Sequence, residues 1–433
     1  MGKPNRKHRE AKRRAKEGRV DFWAARADHD RPPTALEIAA ALFTAAVESN
    51  RGGSRAVADF VAELAGDESL RAEVEQGAQL AGARLLGLAY EGGWLPGDIH
   101  QGARRRVGNF AVSLLIDLMA AHIRPFARDT VDETWLAQLD ELATAVWWSD
   151  TTSYLGQWSA EHMLTTEESL AAVVELLALL VQLPRLELIR PLPGTARAQV
   201  RIPHHVDEKV LTRVRGLLAK AESTSFPDEA EALSAKAQEL MTKYALDRVL
   251  VDADTAVPDL PGARRIWLDT PYVDAKALLV DVVAGANRAR AIFLAEWGFV
   301  TVVGDDTDLD AVELLSTSLL VQATRAMIAS GDPATRGDEA RSRDYRKAFL
   351  VSYATRIGER LAAATAATIA ESAEPQRLLP VLASRQLAVD TAFDTLFPTA
   401  RSRGIVIRSA EGWDAGRAAA DRARLDSRRS LDT

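Results

Sequence analysis

Four aspartates crowd into "GDDTDLD", residues 304–310: Asp305, Asp306, Asp308 and Asp310. Carboxylate oxygens at this density suit a hard cation such as Mg²⁺, and such an ion would serve a hydrolase or nuclease. The spacing departs from a calcium loop, which needs a glycine at its sixth position and a glutamate at its twelfth. The competing reading is structural: acids ahead of a helical pattern cap it and complement its dipole. A second group, Glu222, Glu229, Lys236 and Gln238, would do acid–base work if those side chains faced one another, and is otherwise the solvated face of a helix pair. None of the histidines (His8, His29, His100, His122, His162, His204, His205) has a partner at metal-ligand spacing. The chain has no cysteine, which removes thiolate nucleophiles, thiolate zinc sites and disulfides. No P-loop, GxGxxG turn, GxSxG elbow or HExxH helix occurs. The expectation is therefore no catalytic set and no cofactor, with Asp305, Asp306 and Asp308 the only candidates for a metal.

The basic segments point elsewhere. Lys3, Arg6, Lys7, Arg9, Lys12, Arg13, Arg14, Lys16 and Arg19 fall within the first 20 residues beside two glutamates. That arm carries +7, so the rest of a chain of net charge −7 carries −14. A basic arm on an acidic body predicts sequence-independent, salt-sensitive contact with the phosphates of DNA or RNA. "RSRDYRKAFLVSYATRIGER" adds Arg343, Arg346, Lys347 and Arg356 on a predicted helix, with Tyr345 and Phe349 interleaved where they could stack on bases. Residues 86–108 place a glycine turn ahead of Arg104, Arg105 and Arg106, in the manner of a helix–turn–helix. Trp135, Trp147, Trp148 and Trp158 could anchor a core or a protein partner.

The elements that must position these residues are mostly helices. Residues 1–33 read as a basic flexible arm closed by Pro32-Pro33, and 34–189 as an all-helical domain. Thr34 with Glu37 forms a capping-box signal, and Leu36, Ala39, Ala40, Phe43 and Val47 follow at helical spacing. Val107, Phe110, Leu114, Ile116 and Leu118 mark a second helix, and Trp135, Leu139, Leu142 and Val146 a third. Residues 190–205 form a linker; 206–250 form a helical hairpin with apolar stripes Val206, Val210, Val214, Leu217, Leu218, Ala221 and Ala230, Leu233, Ala237, Leu240, Met241, Tyr244. A second linker, 251–262, leads to an α+β domain at 263–433. There "RIWLD" (265–269), a helix to about Ala286 capped by Thr270-Pro271, a hairpin around Trp297-Gly298 and a long helix give β-α-β-β-α. Further helices at 343–372 and 378–395, a strand at 403–409 and a helix near Trp413 complete it. The fold class expected is mainly α with a small α+β C-terminal domain. No apolar run reaches the roughly 18–20 residues of a membrane span, and the basic N-terminus lacks an apolar signal core, so a cytoplasmic protein with no membrane contact is expected.

"RVRGLLAKAESTSFPDEAEALSAKAQELMTKYALD" (213–247) resembles the domain of unknown function 2786 of bacterial and phage proteins, through LLAKAES, the Pro–Asp–Glu–Ala turn and AKAQELM followed by tyrosine. "GWLPGDIHQGARRRV", "VTVVGDDTDLDAVELLSTSLLVQA", "RKAFLVSYATRIGERL" and "GWDAGRAAADRARL" are similar to the longer actinobacterial members, which implies a full-length match. The resemblance implies no activity.

Overall fold

Two capping boxes set the frame of the first helices. Thr34 Oγ1 accepts the Glu37 backbone N–H, and Glu37 accepts the Thr34 backbone N–H at 2.9 Å, opening α1 (Ala35–Asn50) as its sequence predicts. Thr165 and Glu168 repeat the arrangement at 2.8 Å. The computed structural model describes residues 20–24, 30–196, 205–224, 233, 236–244, 261–330, 343–371, 375–399 and 409–422. They belong to two compact units, 1–199 and 200–433, and the fold is mainly α. Residues 1–19 and 25–29 of the expected arm, the hairpin turn at 225–232 and residues 403–408 of the strand expected at 403–409 lie outside the described residues.

The first unit runs α1, α2 (Ser54–Gly66), α3 (Arg71–Glu91), α4 (Pro96–Arg106), α5 (Asn109–Ile123), α6 (Glu133–Glu141), α7 (Tyr154–Glu161) and α8 (Thr166–Gln182). α1 lies between α3 and α8. Its buried arc is Ile38, Ala39, Ala41, Leu42, Ala45 and Ala46, so Ala39 of the predicted stripe is buried, whereas Leu36 is 73% and Phe43 44% exposed. The predicted stripe is therefore rotated. Small residues let the backbones approach: a Cβ on Gly77 of α3 would sit 2.8 Å from the Ala35 carbonyl oxygen and from Ile38. In α6, Trp135 and Leu139 are buried as expected, but the helix stops at Glu141 and leaves Val146 exposed. Phe110 likewise faces out, while Leu114, Leu115 and Leu118 of α5 face in.

The second unit begins with α9 (His205–Ser223) and helical residues 236–244, termed α10. Val214, Leu218, Ala237 and Met241 of these helices share one core with Val280, Val302, Val312 and Phe349. β1 (Gly262–Trp267), β2 (Arg290–Leu294) and β3 (Phe299–Gly304) form an antiparallel sheet of order β1-β3-β2, with α11 (Val273–Ala286) between the first two. β1 starts and ends earlier than "RIWLD" suggests, since Gly262 pairs with Gly304 and Trp267 with Phe299. The β2–β3 hairpin turns on Gly298, whose φ of +79° suits glycine. Alternation on central β3 sends Val300 and Val302 into the core, and all six of its residues are buried. α11 ends at Ala286 as predicted, but its N-cap is Tyr272, with no side-chain cap bond. α12 (Asp306–Ser330), α13 (Arg343–Ala370), α14 (Pro375–Leu396) and α15 (Ala410–Arg422) complete the unit. Among the described residues no helix is long and apolar enough to cross a membrane.

Candidate nucleic-acid interface

The turn from β3 into α12 spreads its aspartates instead of gathering them. Asp305 Oδ2 accepts from Arg385 of α14 at 2.9 Å, and its Oδ1 accepts from Thr307 at 3.2 Å. Asp308 is buried and takes two Arg288 donors, Nε at 3.1 Å and Nη2 more closely. Asp310 accepts from Arg264 of β1 at 2.8 Å, and the same guanidinium reaches Glu313. Burial pushes the Asp308 carboxyl up, and the Arg288 guanidinium pulls it back down. Arginines from β1, from the turn before β2 and from α14 thus hold oxygens that a hard cation would need. Among the described residues no three His, Asp or Glu side chains are grouped to hold a metal ion. The hairpin's polar residues also separate. Lys236 pairs with Glu239 at 2.8 Å, whereas Gln238 is buried and donates to Thr242 and Asn287, each at 3.2 Å. Glu222 receives Arg325 on its backbone carbonyl, and Glu229 lies outside the described residues.

The cations divide by partner. On α13, Arg343 and Arg346 are exposed, while Lys347 pairs with Asp274 at 2.5 Å and Arg356 with Glu359 at 2.7 Å. Tyr345 and Phe349 are fully buried, which corrects the expectation that they stack on bases: their i, i+4 spacing faces the core, and Phe349 packs on Tyr353. Arg104 and Arg106 of α4 are exposed, but they occupy the last turn, where cations complement the helix dipole. The N-terminal end of α4, which a recognition helix would present to bases, is instead held by Gln138, whose Oε1 accepts the Gly97 N–H at 2.9 Å. The glycine turn ahead of it is buried by the chain after α8: Trp94 Nε1 donates to the Pro184 carbonyl at 2.8 Å, and the Leu186 N–H donates to the Gly92 carbonyl at 2.8 Å. Lys3, Arg6, Lys7, Arg9, Lys12, Arg13, Arg14, Lys16 and Arg19 lie outside the described residues.

The tryptophans act as anchors. Trp135 and Trp158 are buried, and Trp148 packs edge-on to Tyr154 at 4.7 Å. Trp147, 46% exposed, donates its indole N–H to Asp117 at 3.1 Å, and the Tyr154 hydroxyl donates to the same carboxylate at 2.8 Å. Burial pushes the Asp117 carboxyl up, against the pull of these donors and of His162. Trp158 Nε1 donates to Ser113 Oγ at 3.2 Å, which lies 3.1 Å from His162 Nε2. Sequence reading missed Ser113 and Asp117, because only the fold brings α5 against α7. An open groove of about 660 Å³ lies between α2 and α8, lined by Val57, Val61 and Leu179 and by Asn50, Arg106 and Glu175.

Sequence reading also passed over the outer side of α9. Lys209, Arg213, Arg215 and Lys220 are exposed there, and 209–221 contains no acid. The signal was present in the spacing of Lys209, Arg213 and Lys220, which fall on one side of the helix away from the Val214–Leu218 stripe. Residues 209–248 match a family model described as "Protein of unknown function (DUF2786)". No curated protein and no solved structure matches the chain.

Proposed function

We propose that this is a non-catalytic, cytoplasmic nucleic-acid-associated or scaffold protein whose N-terminal arm grips phosphate. We further propose that its resemblance to longer proteins carrying the same hairpin extends over the full chain. The observation that carries the functional reading is the charge segregation, +7 in residues 1–20 against −14 in the rest. Exposed Arg343 and Arg346 add cations to the body. The competing reading, a metal-dependent hydrolase at Asp305–Asp310, loses support because Arg385, Arg288 and Arg264 hold those oxygens. A protein partner would find its aromatic anchor at Trp147, which is partly exposed.

A mobility-shift titration of the full chain against duplex DNA and single-stranded RNA tests the reading. Each phosphate contact contributes about 0.9 to the slope of log affinity against log salt on duplex DNA. Deleting residues 1–20 is expected to flatten that slope by several units and weaken binding at low salt. Unchanged slope and affinity in the deletion variant would overturn the arm's role.

A further inference from the structure

We infer that the solvent face of α9 is a second contact for the nucleic-acid phosphate backbone, so that the family hairpin itself is a binding element. The inference rests on the nucleic-acid reading above but names a different surface, inside a described helix. Lys209, Arg213 and Lys220 follow at i, i+4 and i+11, which places them along one side of a helix, and all three are exposed. Arg215 is also exposed but lies about 140° round the helix from the row. Thr212, Gly216 and Ala219 fill the space between them with short side chains. The opposite side of α9, Val214, Leu218 and Ala221, is buried in the core, so the basic side is fixed outward.

Two contrasts separate this face from an ordinary solvated one. Five other cations of the second unit meet carboxylates, Arg264 with Asp310, Arg288 with Asp308, Arg385 with Asp305, Lys347 with Asp274 and Arg356 with Glu359, whereas Lys243, Arg343 and Arg346 are exposed as the α9 cations are. Among the described residues Lys209, Arg213 and Arg215 make no such pair. The second contrast is Gly216. It lies in the interior of α9, where glycine weakens a helix, yet a Cβ built there would meet nothing within 4 Å. No close packing inside the protein requires it. A polymer backbone approaching from solvent does benefit, because the helix can then come close between the flanking cations.

The dimensions fit. From Lys209 to Lys220 the helix rises about 16 Å, which matches four to five steps of one strand at roughly 3.4 Å each. The readout is of charge and shape, without base specificity, since short side chains between cations offer no donor and acceptor pattern to base edges.

The test uses the full chain, a duplex DNA and a single-stranded RNA of equal length, and vesicles of phosphatidylcholine with phosphatidylserine. One variant carries Lys209→Gln, Arg213→Gln and Lys220→Gln; a control of equal charge change carries Arg51→Gln, Arg55→Gln and Arg84→Gln, all exposed in the first unit. Glutamine keeps helix propensity close to that of lysine and arginine, so circular dichroism should show the fold intact. The α9 variant is expected to flatten the salt slope on duplex DNA by about two to three units, with or without residues 1–20, while the control binds as the parent does. Gly216→Leu should raise the unfolding midpoint and lower affinity together, a divergence that a purely structural glycine would not produce.

Wild-type binding by the α9 variant, with weak binding by the arm deletion, overturns this inference and leaves the arm reading standing. Loss in the α9 variant with none in the arm deletion does the reverse. Equal loss in the control variant makes the effect one of net charge and overturns the inference. If vesicles bind in an α9-dependent way and nucleic acid does not, the face is a lipid surface and the inference fails. Absence of nucleic-acid binding by the parent chain at low salt removes both readings.

Discussion

Asp117 in the first unit and Asp308 in the second are both buried, and each is satisfied by different chemistry. Asp117 is met by the neutral donors of Trp147 and Tyr154, whereas Asp308 is clasped through both oxygens by the Arg288 guanidinium. Burial raises both carboxyls above the usual range. Neutral donors stabilise a carboxylate without adding a second buried charge, so loss of one leaves a modest defect. An ion pair compensates two desolvated charges at once, so loss of either leaves the other exposed to the full penalty. Ion pairs occur in both units, but Arg124–Asp150 of the first is exposed, whereas Arg385–Asp305 ties α14 to the start of α12 in the second with both side chains largely covered.

The comparison breaks most clearly at Arg288. Arg288→Met is expected to destabilise the second unit by about 3–5 kcal/mol, because Asp308 stays buried without its cation. Urea unfolding followed by circular dichroism checks this. Combining Arg288→Met with Asp308→Leu should recover much of the loss, since a well-packed apolar pair of similar volume is often as stable as a buried ion pair. A double variant as unstable as the single would mean that packing around Arg288, and not its charge, carries the site.

At Asp117 the expected effect is smaller. Asp117→Ala leaves the Tyr154 hydroxyl and Trp147 indole N–H without their acceptor, a cost of about 1–3 kcal/mol. The pH dependence is more diagnostic. A carboxyl raised in the folded state binds more protons there than in the unfolded chain, so stability falls as pH rises from its ordinary value through the raised one. Asp117→Asn keeps an oxygen acceptor and cannot ionise. Its unfolding free energy should lack that decline, which denaturant titrations at a series of pH values would show.

Residues near in sequence were legible; partners distant in sequence were not. The Thr34–Glu37 box, the Gly298 hairpin and the long helix after Gly304 each follow from neighbours within a few positions. The buried side of α1 did not follow, because an alanine-rich helix offers two apolar arcs, and the neighbours α3 and α8 decide between them. The acids at 305–310 were legible as a cluster. Their arginines, Arg264, Arg288 and Arg385, come from β1, the turn before β2 and α14, so the sequence could not distinguish a cation site from a set of ion pairs. At Tyr345 and Phe349, i, i+4 spacing within a basic run read as a stacking surface, and only packing showed that spacing to be the core face.

The smallest effect repeats the comparison at the surface, on two near-identical caps. Glu168 accepts only from Thr165, through its backbone N–H and hydroxyl, and these neutral donors lower its carboxyl. Glu37 accepts the same two bonds from Thr34 and also faces the Arg31 guanidinium at 2.6 and 2.9 Å. Arg31 is the largest cause of its fall to about 2. A depressed carboxyl contributes stability that is present above its ordinary value of 4.5 and lost as pH drops through about 2. Arg31→Gln should therefore raise the Glu37 midpoint toward that of Glu168 and leave Glu168 itself unmoved, as NMR titration of the side-chain carboxyl carbons would report. Because Glu37 and Arg31 are in contact with solvent, added salt should shrink the difference between the two glutamates. A Glu37 midpoint that ignores both Arg31→Gln and salt would assign its depression to the Thr34 cap alone, and would make neutral donors as effective as a guanidinium at this surface.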